Sequence, residues 1–493
     1  MQINANPAAW LCIVYLQIDF VTVAYLASSM MKRFLLALVM LMLSYPGAQC
    51  QVKDTIMSGG QVRLHKIIIE GNSATRRSVI LREINIHEGD IIPADSVAAL
   101  LQENKLRLFN LQLFNEVDQR TKRNADGMDW YIKVKERWYI IPSLTVQFAD
   151  RNFNTWWVKE GHDLRRASAG LTVTDKNFRG NLESLAVTVQ DGYTQKLGVS
   201  YMRPYVNKGQ TNGLGFSLSV SQSRQTYYST DSDKLVYAGT YSGPVVWREA
   251  ECGISYIYRP AYASRHIFQL SYKDYSVSDT ILKLNPDYYL NKSDRARFVE
   301  LYYRYEFNGV DNWNYSLEGF KLMTTGVVRS GIEGLKFQGF ANVEAGVFRS
   351  PVPRWYVSAI FRGRLMYPQG QPYYFQGGLG TQTDYVRGYE YYVIDGSNYG
   401  LLRLDLKREI FNNTYSIPVK YFTAIPLRIY PKIYMDAGYV SSPTPGNSFL
   451  SNQLLYSAGV GIDVVTLYDI KFRFEYTFNH LGQNDLYLHF NSE

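Results

Sequence analysis

The chain has 493 residues, 46% of them hydrophobic and 15% aromatic, with 41 Tyr, 24 Phe and 8 Trp. Such a composition excludes a disordered chain, and three Cys cannot staple a fold of this size. The 52 Lys and Arg exceed the 44 Asp and Glu by only +8 and form no basic tract, so no nucleic-acid partner is expected.

Past residue 50 no run approaches the roughly 20 apolar residues that a spanning helix needs. A large soluble protein or a β-barrel remains. The tyrosine excess leans toward the barrel, because a tyrosine ring with a wet hydroxyl suits a membrane interface.

Residues 31–50 read as a secretory signal. Lys32 and Arg33 form its basic start, Phe34–Leu43 its apolar run, and Pro46-Gly47-Ala48 its small and breaking residues. Translation is expected to begin at Met31, with residues 1–50 an upstream extension and signal. A spanning helix over Trp10–Leu26 would carry Gln17 and Asp19 in mid-membrane, a cost of about 3 kcal/mol for the carboxylate. Cys252 is then the one cysteine certain to remain, and a buried or lumenal thiol is expected.

Residues 62–137 form a separate module. Val62–Glu70 is a strand candidate with the β-branched run Ile67-Ile68-Ile69. Thr75–Ile84 has the spacing of one helical face, with Thr75 a candidate N-cap. Pro93 opens a second helix carrying Val97, Leu100, Leu101 and Leu108. Strands near 114–120 and 129–136 complete a β-α-α-β-β module with its own core.

From Leu144 to the end, residues 144–493, period-2 alternation replaces helical spacing. Ile470, Phe472, Phe474, Tyr476 and Phe478 alternate with Lys471, Arg473, Glu475 and Thr477. In a barrel the aromatic face meets lipid and the charged face a wet lumen. Sixteen candidate strands follow one another, and short connections such as 175–182 alternate with long ones such as 223–248, 278–296 and 367–398. The expected fold is mainly β: a sixteen-stranded transmembrane antiparallel β-barrel preceded by one α+β module.

The loop between the eleventh and twelfth strands runs Gly377-Gly378-Leu379-Gly380, then Asp384-Tyr385-Val386-Arg387-Gly388-Tyr389. Some fifty residues on comes Asp436-Ala437-Gly438. If the loop folds into the lumen, the planar fork of Arg387 can pair bidentately with Asp436. No helix follows the glycines, so a phosphate cradle is not expected. The six His make no close pair or His-Glu-x-x-His, and no Gly-x-Ser-x-Gly occurs, so neither catalysis, a metal nor a cofactor is expected.

Val386-Arg387-Gly388-Tyr389, the later Asp436-x-Gly438 and a single α+β module before the barrel resemble the BamA/TamA outer-membrane assembly superfamily. The module resembles a POTRA domain at Ile69-Glu70-Gly71-Asn72, Thr75, Arg82-Glu83-Ile84, Glu88-Gly89-Asp90 and Phe114-Asn115-x-Val117. Asp175-x-Asn177-Phe178-x-Gly180 resembles the family's early barrel turn. The resemblance implies that Val386, Arg387, Gly388 and Tyr389 fold into the lumen and that Arg387 pairs with Asp436. It also implies a second acidic partner on a neighbouring strand. Lys407 falls near that place, and Asp405 and Glu409 share its facing. The family usually ends on an aromatic residue, whereas here Phe490 is followed by Asn-Ser-Glu.

The implied location is the outer membrane of a Gram-negative-type bacterium, with the POTRA-like module in the periplasm. The implied task is assembly, insertion or translocation of other proteins. Unfolded outer-membrane or secreted proteins and the lipid bilayer are the expected partners, with periplasmic chaperones and accessory lipoproteins as further candidates. Short first and last strands, with Gly482 just before the last, suggest a weak seam that can accept an incoming strand. Two alternatives are a polypeptide-secretion pore of the two-partner type and a passive porin-like channel.

Overall fold

The computed structural model describes residues 60–148, 164–207, 209–240, 243–381, 384–416, 424–466 and 470–491. The signal segment and residue 149 of the first predicted barrel strand lie outside them.

The N-terminal module has strands β1 (Gln61–Glu70), β2 (Ile91–Pro93), β3 (Phe114–Asn124) and β4 (Gly127–Glu136), in sheet order β2-β1-β4-β3. Helices α1 (Arg77–Glu83) and α2 (Val97–Asn110) complete it. The apolar stripes of both helices meet the sheet, burying Leu64, Ile80, Leu108, Phe114, Trp130 and Ile132 in one core.

Two local expectations need correction. Pro93 ends the short edge strand β2, where its missing N–H costs no ladder bond, and α2 begins four residues later. Thr75 does not cap α1. Glu136 takes over the backbone N–H groups of Ala74 and Thr75, at 3.0 and 2.7 Å. The Thr75 hydroxyl instead meets Tyr139 and Asn177, at 2.8 and 2.9 Å.

The rest is one large antiparallel sheet. Its strands are β5 (Ile140–Phe148), β6 (Ala167–Phe178), β7 (Glu183–Gly192), β8 (Thr194–Arg203), β9 (Asn212–Ser223), β12 (Trp247–Tyr258), β13 (Ser264–Val277), β14 (Arg295–Val310), β15 (Gly319–Glu333), β16 (Phe337–Val352) and β17 (Trp355–Tyr367). It continues through β20 (Asn398–Arg408), β21 (Phe411–Ser416), β22 (Ala424–Ser441), β23 (Leu454–Val465), β24 (Lys471–Asn479) and β25 (Asn484–Asn491). Consecutive strands pair, except that β20 and β21 both pair with β22, and the strand order sets β25 beside β5 as in a barrel.

Among the described residues the sheet has seventeen strand segments, not the sixteen expected. The extra one is β21, which follows β20 in line; both pair with β22, on either side of the break at Glu409 and Ile410. The predicted start of β15 at Tyr315 also shifts, to Gly319, because Tyr315 turns inward instead of joining the ladder.

Alternation along the strands sorts the side chains. Ile254, Tyr256, Leu270, Leu301, Val460, Ile462, Phe474 and Phe478 are exposed on the outside. Lys432, Asp463, Lys471, Glu475 and Thr477 are buried on the inside. An exposed apolar belt of this extent is not found on an ordinary soluble surface. Cys252 is exposed and shares the facing of Ile254 and Tyr256, so the expected buried or lumenal thiol is in fact on the outer face. No helix among the described residues is long and apolar enough to cross a membrane.

The longest connections, 224–246, 278–294 and 368–397, lie at one end, but the expected alternation is not strict, because β7–β8 and β15–β16 turn there in one and three residues. At the far end, the stretch between β9 and β12 folds as a hairpin, β10 (Gln225–Asp231) and β11 (Lys234–Gly239). The 278–294 connection carries α3 (Asp279–Leu284), and the loop after β17 carries the ribbon β18 (Gly377–Leu379) and β19 (Ile394–Gly396). These loops form one cap. Asp233 is fully buried, and its carboxylate accepts the Ser448 hydroxyl and the N–H groups of Phe449 and Leu450, while its carbonyl accepts from Val393 at 2.8 Å. Tyr288, Tyr289 and Phe375 pack beneath it with Tyr275 and Phe298.

At the other end the module docks on the strand turns. The Arg76 N–H donates to the Gly180 carbonyl at 3.0 Å, and Asn177 reaches Thr75. Gly180 has φ +76°, and a Cβ there would meet the Ala74 carbonyl oxygen at 2.2 Å, so only glycine lets the turn come this close. Glu83, with a side chain 0% exposed, accepts from both ends of the Arg259 guanidinium at 2.6 and 2.8 Å and from the Tyr205 hydroxyl at 2.9 Å. Burial, and then the negative charge of Glu83, push the Tyr205 phenol up to about 12.

Candidate functional site

The loop after β17 drops from the cap into the lumen. The bond from Tyr389 N–H to the Val386 carbonyl closes a tight turn at 3.0 Å, and Gly388 sits at φ +87°. A Cβ on Gly388 would also meet the Thr477 side chain at 2.8 Å. Glycine therefore satisfies the backbone and the close approach together.

The turn aims Arg387 at the wall. Its Nε donates to Asp436 Oδ2 at 2.9 Å, and its backbone N–H donates to the same oxygen at 3.0 Å. Its Nη1 donates to Asp405 Oδ1 at 2.8 Å and to Glu475 Oε1 at 3.3 Å. The guanidinium lies 3.9 Å from the Tyr434 ring centre. The Arg387 side chain is 6% exposed and that of Asp436 0%, so the cluster has lost most of its water and depends on its own pairing.

The predicted residues thus come together, with one exception. Asp405 is the second partner, and Glu409 is not. Glu409 lies at the break between β20 and β21, where it accepts from Tyr430 and Asn412 at 3.2 Å. Lys407 faces the lumen beside Asp405 and Asp463, at 3.8 and 3.5 Å. Gly482 lies in the turn between β24 and β25 at φ +73°.

Sequence reasoning missed the rest of the wall. Lys432 bridges Asp463 and Glu475, at 2.5 and 2.6 Å, and His489 Nδ1 lies 2.9 Å from Glu475 Oε2. On the other flank Arg362 joins Glu344 and Asp384, at 2.8 and 3.0 Å. The signal for Glu475 was present, since it alternates inward beside Lys471 and Arg473. Nothing in the alternation says which inward carboxylate a loop from elsewhere will reach.

Neighbouring side chains hold the turn in place. Asn479 Nδ2 donates to the Gly388 carbonyl at 2.8 Å, and the Tyr389 hydroxyl meets the Tyr456 carbonyl and His480. Val386 is buried against Gly438, where a Cβ would lie 2.5 Å from its side chain. This explains the glycine two residues after Asp436. Gly438→Leu should expel the Val386 turn while leaving Asp436 intact. Protease cleavage near residue 387 in the variant, with the wild type resistant, is the expected result.

The arrangement is one of fixed charges and a buried turn. Among the described residues no group of three or more His, Cys, Asp or Glu is placed to hold a metal ion.

The POTRA family, described as a surface antigen variable number repeat, matches residues 62–137. The outer membrane protein assembly factor BamA of Nitratidesulfovibrio vulgaris is 33% identical over 79 residues. The match spans 16% of this chain and only 10% of that relative's length. BamA from Haemophilus ducreyi lacking POTRA domains 1–3 is similar in fold, with TM-score 0.50, 15% identity and coverage of 87% of this chain and 84% of that one. CdiB from Escherichia coli is similar to the same degree, with TM-score 0.51, 14% identity and coverage of 87% and 75%. The match over 62–137 shows the POTRA family for that module alone, and the two solved structures show that the chain shares their fold. Its N-terminal module is a POTRA domain.

Proposed function

We propose that this chain is a sixteen-stranded outer-membrane barrel that inserts or translocates other proteins, with its POTRA domain receiving them in the periplasm. One observation carries the reading. A POTRA domain is docked across the turns at one end, while a cap and the Arg387 turn fill the lumen from the other. A passive channel has no use for either. On this reading β20 and β21 count as one place in the barrel, the exposed apolar belt faces lipid, and the clients are unfolded outer-membrane or secreted proteins.

The seam is where a client strand would enter. The neighbouring strands β5 and β25 have 9 and 8 residues, against 18 in β22, so a shorter ladder can form between them. An opened edge there offers unpaired N–H and C=O groups to an incoming strand. A disulfide joining 144–148 to 485–490, in a Cys252→Ser background, should abolish client insertion into vesicles, with recovery on reduction. Full insertion through a verified crosslink would sink the seam mechanism.

The likeness to CdiB in fold keeps the secretion pore as a second reading. Planar-bilayer recordings separate the two. A small, unsteady conductance with client-dependent strand insertion supports assembly, whereas passage of an unfolded polypeptide through the lumen supports secretion. No catalytic step, metal or cofactor is assigned.

A further inference from the structure

We propose that the turn between β14 and β15, residues 311–318, is a strap that closes the POTRA-side end of the lumen, and that the docked POTRA domain holds it shut. The turn has an inner and an outer hold. On the inside, Tyr315 is 4% exposed, which is unusual for a connection between strands. Its hydroxyl donates to Asp463 Oδ2 at 3.0 Å, its ring packs 5.1 Å from that of Tyr430, and the Lys407 ammonium lies 4.8 Å from its ring centre. Asp463 is itself paired with Lys432, which bridges to Glu475 and so to Arg387. The strap therefore grips the same charge network from below that the Arg387 turn grips from above. Residues of both segments line one cavity of about 320 Å³.

On the outside, the end of α2 holds the same turn. Gln112 Nε2 donates to Asn314 Oδ1 at 3.0 Å, and Asn110 Nδ2 lies 3.1 Å from the Tyr262 hydroxyl and 3.5 Å from the Asp311 carbonyl. The turn is stiff within itself. The Asp311 carboxylate accepts from the N–H groups of Leu317 and Glu318, both at 3.0 Å, and Asn312 accepts from those of Asn314 and Tyr315. A self-capped turn moves as a body. Freeing its outer end therefore loosens Tyr315, and withdrawing Tyr315 opens the cavity floor.

The test reads access to the lumen and needs no client, so its outcome is independent of the assembly reading. In full-length protein folded in detergent, Cys12→Ser, Cys50→Ser and Cys252→Ser with Ser358→Cys leave one reporter thiol, at a buried position lining the cavity. Its labelling rate with a charged maleimide is measured. Tyr315→Phe should speed labelling by about tenfold, the effect of losing one buried hydrogen bond to a charged group. The pair Asn110→Ala and Gln112→Ala, which lies wholly in the POTRA domain, should do the same. Acceleration by Tyr315→Phe alone would make the turn a local plug and overturn the coupling, and no acceleration by either would overturn the strap. Should Tyr315→Phe fail to fold, Gln112→Cys with Asn314→Cys gives a second measurement. Bilayer conductance should be lower with that disulfide formed than reduced, and equal conductance rejects the proposal.

Discussion

Arg387→Ala should destabilise the folded barrel by about 3–5 kcal/mol, the penalty for breaking a buried ion cluster by removing one partner. The change leaves Asp436, Asp405 and Glu475 facing one another with one cation fewer. It also strips the turn of its anchor, so Val386 and Tyr389 lose their seats. Arg364→Ala is the control. Arg364 faces the same lumen, but it donates to the Asn342 amide oxygen at 2.9 Å and lies over the Phe340 ring, with a cost nearer 1 kcal/mol. Arg387→Lys should recover only part of the loss, because a point charge cannot serve three carboxylates as a planar fork does. Urea unfolding of the detergent-folded proteins measures all three. Equal midpoints for Arg387→Ala and Arg364→Ala would rule out the anchoring role.

Glu83→Ala should release the POTRA domain from the barrel. It leaves the Arg259 guanidinium and the Tyr205 hydroxyl without the carboxylate they share in a dry interface, again at about 3–5 kcal/mol. The linker around Arg137 and Trp138 should become protease-sensitive, and amide exchange should rise in the turns near residues 180 and 259. Adding Arg259→Ala should cost little more, because the two residues act as one unit. A double variant whose effects simply add would show that the pair is not coupled.

Much of the fold was legible because a barrel writes its period into the sequence. Residues 470–478 alternate aromatic or aliphatic side chains with Lys471, Arg473, Glu475 and Thr477, and the strand exposes Phe474, Tyr476 and Phe478 while burying Lys471, Glu475 and Thr477. Ends and breaks were harder. The alternation runs on through Glu409 as though the strand were continuous, so the break there, and with it the loss of Glu409 as a partner of Arg387, was invisible. Cys252 was misplaced because a thiol passes as readily for a core residue as for a lipid-facing one. The pairing of Arg387 with Asp436 was legible as a possibility of charge and geometry and as what the family resemblance implies. Glu475, Lys432 and Asp463 complete the wall through contacts across strands far apart in sequence, and local pattern does not encode them.

The burial of Asp233 has a consequence for the surface this protein presents. Residues 225–239, Val393 and 448–450 are remote in sequence, yet they converge on one residue, Asp233, through its carboxylate and its carbonyl. The outer face is therefore a single composite relief whose parts do not keep their shape alone. A change in any one loop alters the footing of the others, so the loops are expected to diversify as a set.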